Sequence, residues 1–273
     1  MADYAISTWL LGHLPREEAI RLLAEEGFTN IELSSAWSAL VGAWENDPAG
    51  VVAELTAAGL TVDSIHNPSS GRSLDSPDDE ERRASIEHNL RYIDLMQRSG
   101  IPEIVIHPVS GAAGQDDDAW AAVPARSRES LSELAKVAGQ AGVRLAVENV
   151  GRNNRPGSSI ASVLELIDGL GDHVGLCMDI GHSQQAGLDL LAELSTGLRS
   201  GKLFTLHLHD VDPNGKDHYV PGEGCLDLDP FLDMLDAHDF AGGRTLEISP
   251  VPAEEVPERL RQVAAVRDQW QSR

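Results

Sequence analysis

Eight times along this chain a short apolar or β-branched run gives way to a longer stretch whose apolar residues recur every three or four positions. The runs are DYAISTW from Asp3, NIELS from Asn30, TVDSIH from Thr61 and EIVIH from Glu103. They continue with RLAVEN from Arg144, GLCMDI from Gly175, LFTLHLH from Leu203 and RTLEIS from Arg244. Between them PREEAIRLLAEEG, DDEERRASIEHNLRYIDLMQRSG and RESLSELAKVAGQAG read as helices, with Pro or acidic residues at the start and Gly just past the end. Parallel strands require crossover helices, so eight such units predict an α/β protein with a single-domain (β/α)8 TIM barrel over residues 1–273. The length suits that fold, which takes roughly 250 residues. An open doubly wound sheet is the competitor, weakened by the lack of a glycine-rich turn after the first run.

Charge narrows the function. Asp plus Glu number 44 against 21 Lys plus Arg, for a net charge of −23. Such a surface repels phosphate backbones and lacks the basic footprint of a nucleic-acid protein, so no nucleic-acid partner is expected. No apolar run reaches the roughly 18–20 residues of a membrane helix, and the N-terminus has no basic segment leading an apolar one. Two cysteines, Cys177 and Cys225, make no disulfide framework. A cytoplasmic protein without a membrane partner is the expectation, and a homo-oligomer is left open.

Side chains alternate across a strand, so the apolar positions identify the polar residues that turn inward. In RLAVEN, outward Leu145 and Val147 leave Glu148 inward; in GLCMDI, outward Leu176 and Met178 leave Asp179. Outward Phe204, Leu206 and Leu208 leave His207, and outward Leu246 and Ile248 leave Glu247. His107 obeys the same rule, and His66 is compatible with it. Six consecutive strands thus each end in an inward polar residue, at the face where barrels place their active sites. Buried charges pair or coordinate metals. Glu148, Asp179, His207 and Glu247 form a mixed oxygen and nitrogen set that suits one divalent ion, manganese, magnesium, cobalt or zinc, without distinguishing well among them; manganese is the expectation. No organic cofactor is expected.

The succession VEN, MDIGH, HLHD, HYVPGEG and LEIS resembles the xylose isomerase-like TIM barrel superfamily, which includes sugar isomerases and epimerases, inosose dehydratase and isomerase, and endonuclease IV. The resemblance runs over essentially the whole chain. It implies that Glu148, Asp179, His207 and Glu247 bind the metal, that Glu148 and Glu247 exchange a proton on opposite faces of a sugar, and that His182 contacts substrate hydroxyls. The implied reaction is a sugar, keto-polyol or small hydroxycarbonyl isomerisation or epimerisation through a metal-stabilised enediolate. The alternatives are a cyclitol or inosose dehydratase, an endonuclease IV-like zinc phosphodiesterase, and a non-catalytic sugar-binding barrel.

The resemblance is imperfect in two places. Epimerases of this kind carry an arginine six residues after the metal histidine, where this chain has Pro213, leaving substrate contact to Lys216 or His218. His66 and His107 match extra histidines of the endonuclease subfamily and could hold a second metal with Glu148. Lys216, however, stands where that subfamily has a zinc-binding aspartate.

Only three lysines occur, Lys136, Lys202 and Lys216, none at the end of a strand, which disfavours Schiff-base chemistry. Asp210, Asp212, Asp217, Glu223, Glu254 and Glu255 crowd the last two loops and favour an unphosphorylated substrate. Arg152 and Arg155 could bind an anion or simply be solvated. Trp9, Trp37 and Trp44 are candidates for an aromatic wall against a sugar ring, with packing beneath a loop the equal alternative.

Overall fold

A computed structural model describes residues 3–12, 14–35, 39–67, 73–110, 117–151 and 155–273. Its strands are β1 (Ala5–Ser7), β2 (Asn30–Ser34), β3 (Thr61–His66), β4 (Glu103–Ile106), β5 (Arg144–Glu148), β6 (Val174–Asp179), β7 (Leu203–Leu208) and β8 (Gly243–Leu246). They close into a parallel barrel in chain order, β8 pairing with β1. Helices follow the strands, so the chain is the expected (β/α)8 barrel.

The outward row of each strand joins one continuous core with the helices. Ile31, Leu33, Ile104, Ile106, Leu145, Val147, Leu176, Met178, Leu206 and Leu246 are all buried there. Burying each such side chain contributes about 1.5–3 kcal/mol, enough to hold strand parity against the cost of turning carboxylates and imidazoles inward.

The local details depart from the simple pattern where the register shifts. Thr8 and Trp9 do not extend β1; they enter a 3-10 turn over Thr8–Leu11, with Ser7 Oγ accepting from the Trp9 N–H at 3.5 Å. Register shifts fall between Ile31 and Glu32 against β3, and between Leu176 and Cys177 against β7. The second overturns one expectation: Phe204 does not join the helix-facing row but packs on the inner cluster of Val105, Ala146 and Cys177. Gly175 makes room for it, since a Cβ there would lie 2.7 Å from the Phe204 ring.

Trp44 is fully buried, its indole N–H donating to Ser99 Oγ at 3.2 Å, and so forms no part of a sugar-facing wall. Trp37 and Arg152 lie outside the described residues. Arg155 stacks its guanidinium 4.7 Å over the Trp120 ring. Among the described residues no helix is long and apolar enough to cross a membrane.

Candidate metal centre and active site

Glu148 ends β5, Asp179 ends β6, His207 is the penultimate residue of β7 and Glu247 follows β8 directly. Parity turns all four inward and burial is essentially complete. They converge on one atom. His207 Nδ1 lies 3.1 Å from Glu247 Oε2, 3.3 Å from Glu148 Oε1 and 4.0 Å from Asp179 Oδ2. Yet His207 Nδ1, both Glu148 oxygens and Glu247 Oε2 are buried without a hydrogen-bond partner. Imidazole nitrogens stand 3.1–3.3 Å from these oxygens as charge contacts only, and a buried polar atom without a well-formed hydrogen bond costs roughly 1–3 kcal/mol. A divalent cation seated among them would satisfy all of them together, so the donor set fits a metal.

Two further groups flank this one. His66 Nε2, His107 Nε2 and Glu148 Oε2 form a triangle with sides of 3.3, 3.1 and 3.2 Å. On the other side His182, Asp217 and His218 bring ligand atoms within 4.8 Å of one another. Asp217 is the residue next to Lys216, so the loop supplies a carboxylate at the place where the sequence alone showed a lysine. Lys216 itself is exposed, its ammonium 5.2 Å from the Tyr219 ring centroid, and it is absent from the lining of the cavity. That cavity, of about 120 Å³, is bordered by Trp9, Ser34, His66, His107, His182, His218 and Glu247. The Trp9 ring meets His218 edge-on at 4.9 Å.

Electrostatics knit the cluster. Burial alone would strip His66 of its proton, but the carboxylates of Glu247 and Glu148 outweigh it and push the pKa up to about 10. His182 rises to about 10 in the same way, burial being overcome by Asp179 and Glu148. His207 is raised too, against burial, by Glu247, Glu32 and Glu148. The carboxyls respond in kind. Burial would raise Glu148 and Glu247, but the imidazoles of His207 and His66, with His107 at Glu148, hold both well below the ordinary carboxylate range. Without a metal, protons on the imidazoles balance the acids.

Several further groups position the site. Asp179 caps the helix Ile180–Gln185, accepting from the His182 N–H at 2.6 Å, which turns His182 toward the cavity. Asn149 clasps the same turn: its side chain accepts from the Asp179 N–H at 2.8 Å and donates to the Asp179 carbonyl at 3.0 Å. The His182 Nδ1–H donates to the Asn149 carbonyl at 2.9 Å. Gly181 is required because a Cβ there would lie 2.0 Å from His209 Cε1. Asp210 accepts from the N–H groups of Val211, Gly222, Gly224 and Leu226 at 2.8–3.0 Å, pinning the loop that carries Asp217 and His218. Glu32 sits beneath His207. The alternation Ile31, Glu32, Leu33 already marked it as inward, whereas nothing local marked Asp217.

Comparison with known proteins agrees with the fold. Residues 20–266 match the family model described as xylose isomerase-like TIM barrel. An inosose isomerase of Halalkalibacterium halodurans is 29% identical over 125 residues, 43% of this chain and 44% of that one. A probable endonuclease 4 of Acholeplasma laidlawii is 28% identical over 132 residues, 46% of this chain and 43% of that one. These matches thus span less than half the length of the curated relatives. Among solved structures, D-psicose 3-epimerase from Clostridium cellulolyticum H10 superposes with a TM-score of 0.79 at 18% identity, covering 99% of this chain and 98% of that one.

Proposed function

The chain belongs to the xylose isomerase-like TIM barrel family, and from that premise we propose that it is a divalent-metal-dependent isomerase or epimerase. Its substrate would be a ketose, keto-polyol or small hydroxycarbonyl compound. The observation that carries this reading is the pair of buried glutamates, Glu148 and Glu247, with unbonded oxygens on either side of His207 Nδ1. The metal, held by Glu148, Asp179, His207 and Glu247, would supply Lewis-acid stabilisation of the charge that builds on substrate oxygens.

The protein's own groups account for the remainder. A carbon acid beside a carbonyl needs a carboxylate within reach to take its proton and an acid to return it. Glu247 borders the cavity and Glu148 lies behind it, fully buried, so the two differ in access to substrate. His182 and His218 each use Nδ1 on a backbone carbonyl, at 2.9 and 3.2 Å, which leaves Nε2 for substrate hydroxyls. Trp9 gives an apolar face beside them. A proton returned to the opposite face makes an epimerase, one returned to the neighbouring carbon an isomerase, and loss of hydroxide a dehydratase.

The test is metal content of protein purified without added metal or chelator, followed by deuterium incorporation from D2O into ketoses and inososes. One equivalent of metal with exchange of a carbon-bound proton is expected. Protein that neither contains nor takes up metal would overturn the reading.

A second reading, metal-assisted phosphodiester hydrolysis, is favoured by the two flanking groups, His66–His107–Glu148 and His182–Asp217–His218. The net charge of −23 weighs against a nucleic-acid substrate. Two or three bound zinc ions together with phosphodiesterase activity would favour hydrolysis instead.

A further inference from the structure

Glu32 is a fully buried carboxylate that the proposed chemistry does not use. It is the third residue of β2, and the register shift beside it sets it opposite Ser64 rather than Asp63. As a result Ser64 Oγ donates to Glu32 Oε2 at 2.8 Å. The same oxygen lies 3.2 Å from His207 Nε2.

The two nitrogens of His207 therefore face different company. Nδ1 looks toward Glu148, Asp179 and Glu247, while Nε2 meets the Glu32 carboxylate. A neutral imidazole carries one N–H, and an ionised carboxylate can only accept. Once His207 gives up one of its two protons, Glu32 thus holds the other on Nε2 and frees the Nδ1 lone pair on the side of Glu148, Asp179 and Glu247. Such an outer partner also makes the ligating nitrogen more basic and fixes the ring plane.

We infer that Glu32 is a positioning residue for metal capture: it selects the His207 tautomer that presents Nδ1, and it fixes the ring between Glu148 and Glu247. The inference rests on the reading of His207 as a metal ligand. Ser64 is the anchor for Glu32. Its hydroxyl occupies one lone pair of Oε2 and keeps the carboxylate from swinging toward His66, whose Nδ1 is 4.0 Å from Glu32 Oε1 and only 2.9 Å from Glu247 Oε1.

Zinc affinity, measured by competition with a chromophoric chelator, tests this without reference to turnover. Glu32→Ala should weaken zinc binding about 10–100-fold. Glu32→Gln, which keeps an acceptor but not the charge, should fall between alanine and the wild type, and Ser64→Ala should cost less than either. In the zinc-loaded wild type, ¹⁵N spectra should show His207 Nε2 protonated and Nδ1 metal-bound. If Glu32→Ala does not fold, Glu32→Leu fills the space without offering an acceptor and should show the same loss. Wild-type zinc affinity in Glu32→Ala or Glu32→Leu, or a zinc-bound Nε2, would overturn the inference while leaving the metal site standing. A wild type that takes up neither zinc nor manganese would overturn both.

Discussion

His209 Nε2 lies 3.2 and 3.0 Å from the two carboxylate oxygens of Asp179, and the opposite ring nitrogen accepts the His218 N–H at 3.0 Å. One imidazole therefore orients a candidate ligand of the central group and the backbone of the flanking one. Its tautomer is set by the backbone donor, which leaves Nε2–H for Asp179.

Gly181→Ala tests that link. The added methyl would sit 2.0 Å from His209 Cε1, and the ring must move away from Asp179. Metal affinity by calorimetric titration should drop about 10-fold or more. An unchanged affinity would mean that the ring is not needed there.

The two glutamates should behave as a pair. Glu247→Gln and Glu148→Gln should each reduce solvent-proton exchange into the substrate by about 10²–10⁴-fold. Both substitutions should also weaken metal binding, because each carboxylate is a proposed ligand and each is paired with His66. Near-normal exchange in either variant would remove that residue from the proton-transfer role.

Metal uptake should expel protons. His66 and His182 hold theirs up to about 10, and His207 is raised as well, so the metal-free centre is protonated at pH 8. Binding through His207 must displace about one proton per metal. Calorimetry in buffers of different ionisation enthalpy reads this directly, and buffer-independent heats would contradict it.

At the opposite end of the barrel, Glu103 sits at the start of β4 and is 3% exposed; burial pushes its pKa up to about 7, against the pull of Arg144. Because the folded value is raised above the ordinary 4.5, the native state binds more protons than the unfolded chain between those limits. Stability attributable to this group is therefore full below pH 4.5 and declines as pH rises toward 7, by roughly 3 kcal/mol in all. Glu103→Gln should raise the melting temperature relative to wild type more at pH 8 than at pH 5. An equal difference at both pH values would refute the assignment.

Asp210→Ala should release the loop over 211–226. Four backbone donors would lose a buried carboxylate, a loss of roughly 3 kcal/mol. Amide exchange at Gly222, Gly224 and Leu226 should accelerate in particular; protection equal to wild type would show that the loop is held by other contacts.

Much of this architecture was legible from local pattern. The alternation of short and long apolar periods required eight parallel strands with crossover helices. Within the strands, the outward positions Leu145, Val147, Leu176, Met178, Leu206 and Leu246 determined that Glu148, Asp179, His207 and Glu247 turn inward. Period-two alternation is a property of a single strand and needs no knowledge of its neighbours. The same rule would have exposed Glu32 between Ile31 and Leu33.

Register and loop path are different in kind. Phe204 faces the inner cluster, and Glu32 meets Ser64, because strand pairs slip past each other at Leu176/Cys177 and Ile31/Glu32. Asp217 reaches His182 because Asp210 gathers amides as far along the chain as Leu226. The sequence by itself determined the barrel and which residues point into it, since those follow from hydrophobic periodicity. Only the tertiary structure decided which atoms meet at the centre, since that depends on contacts between segments remote in the chain.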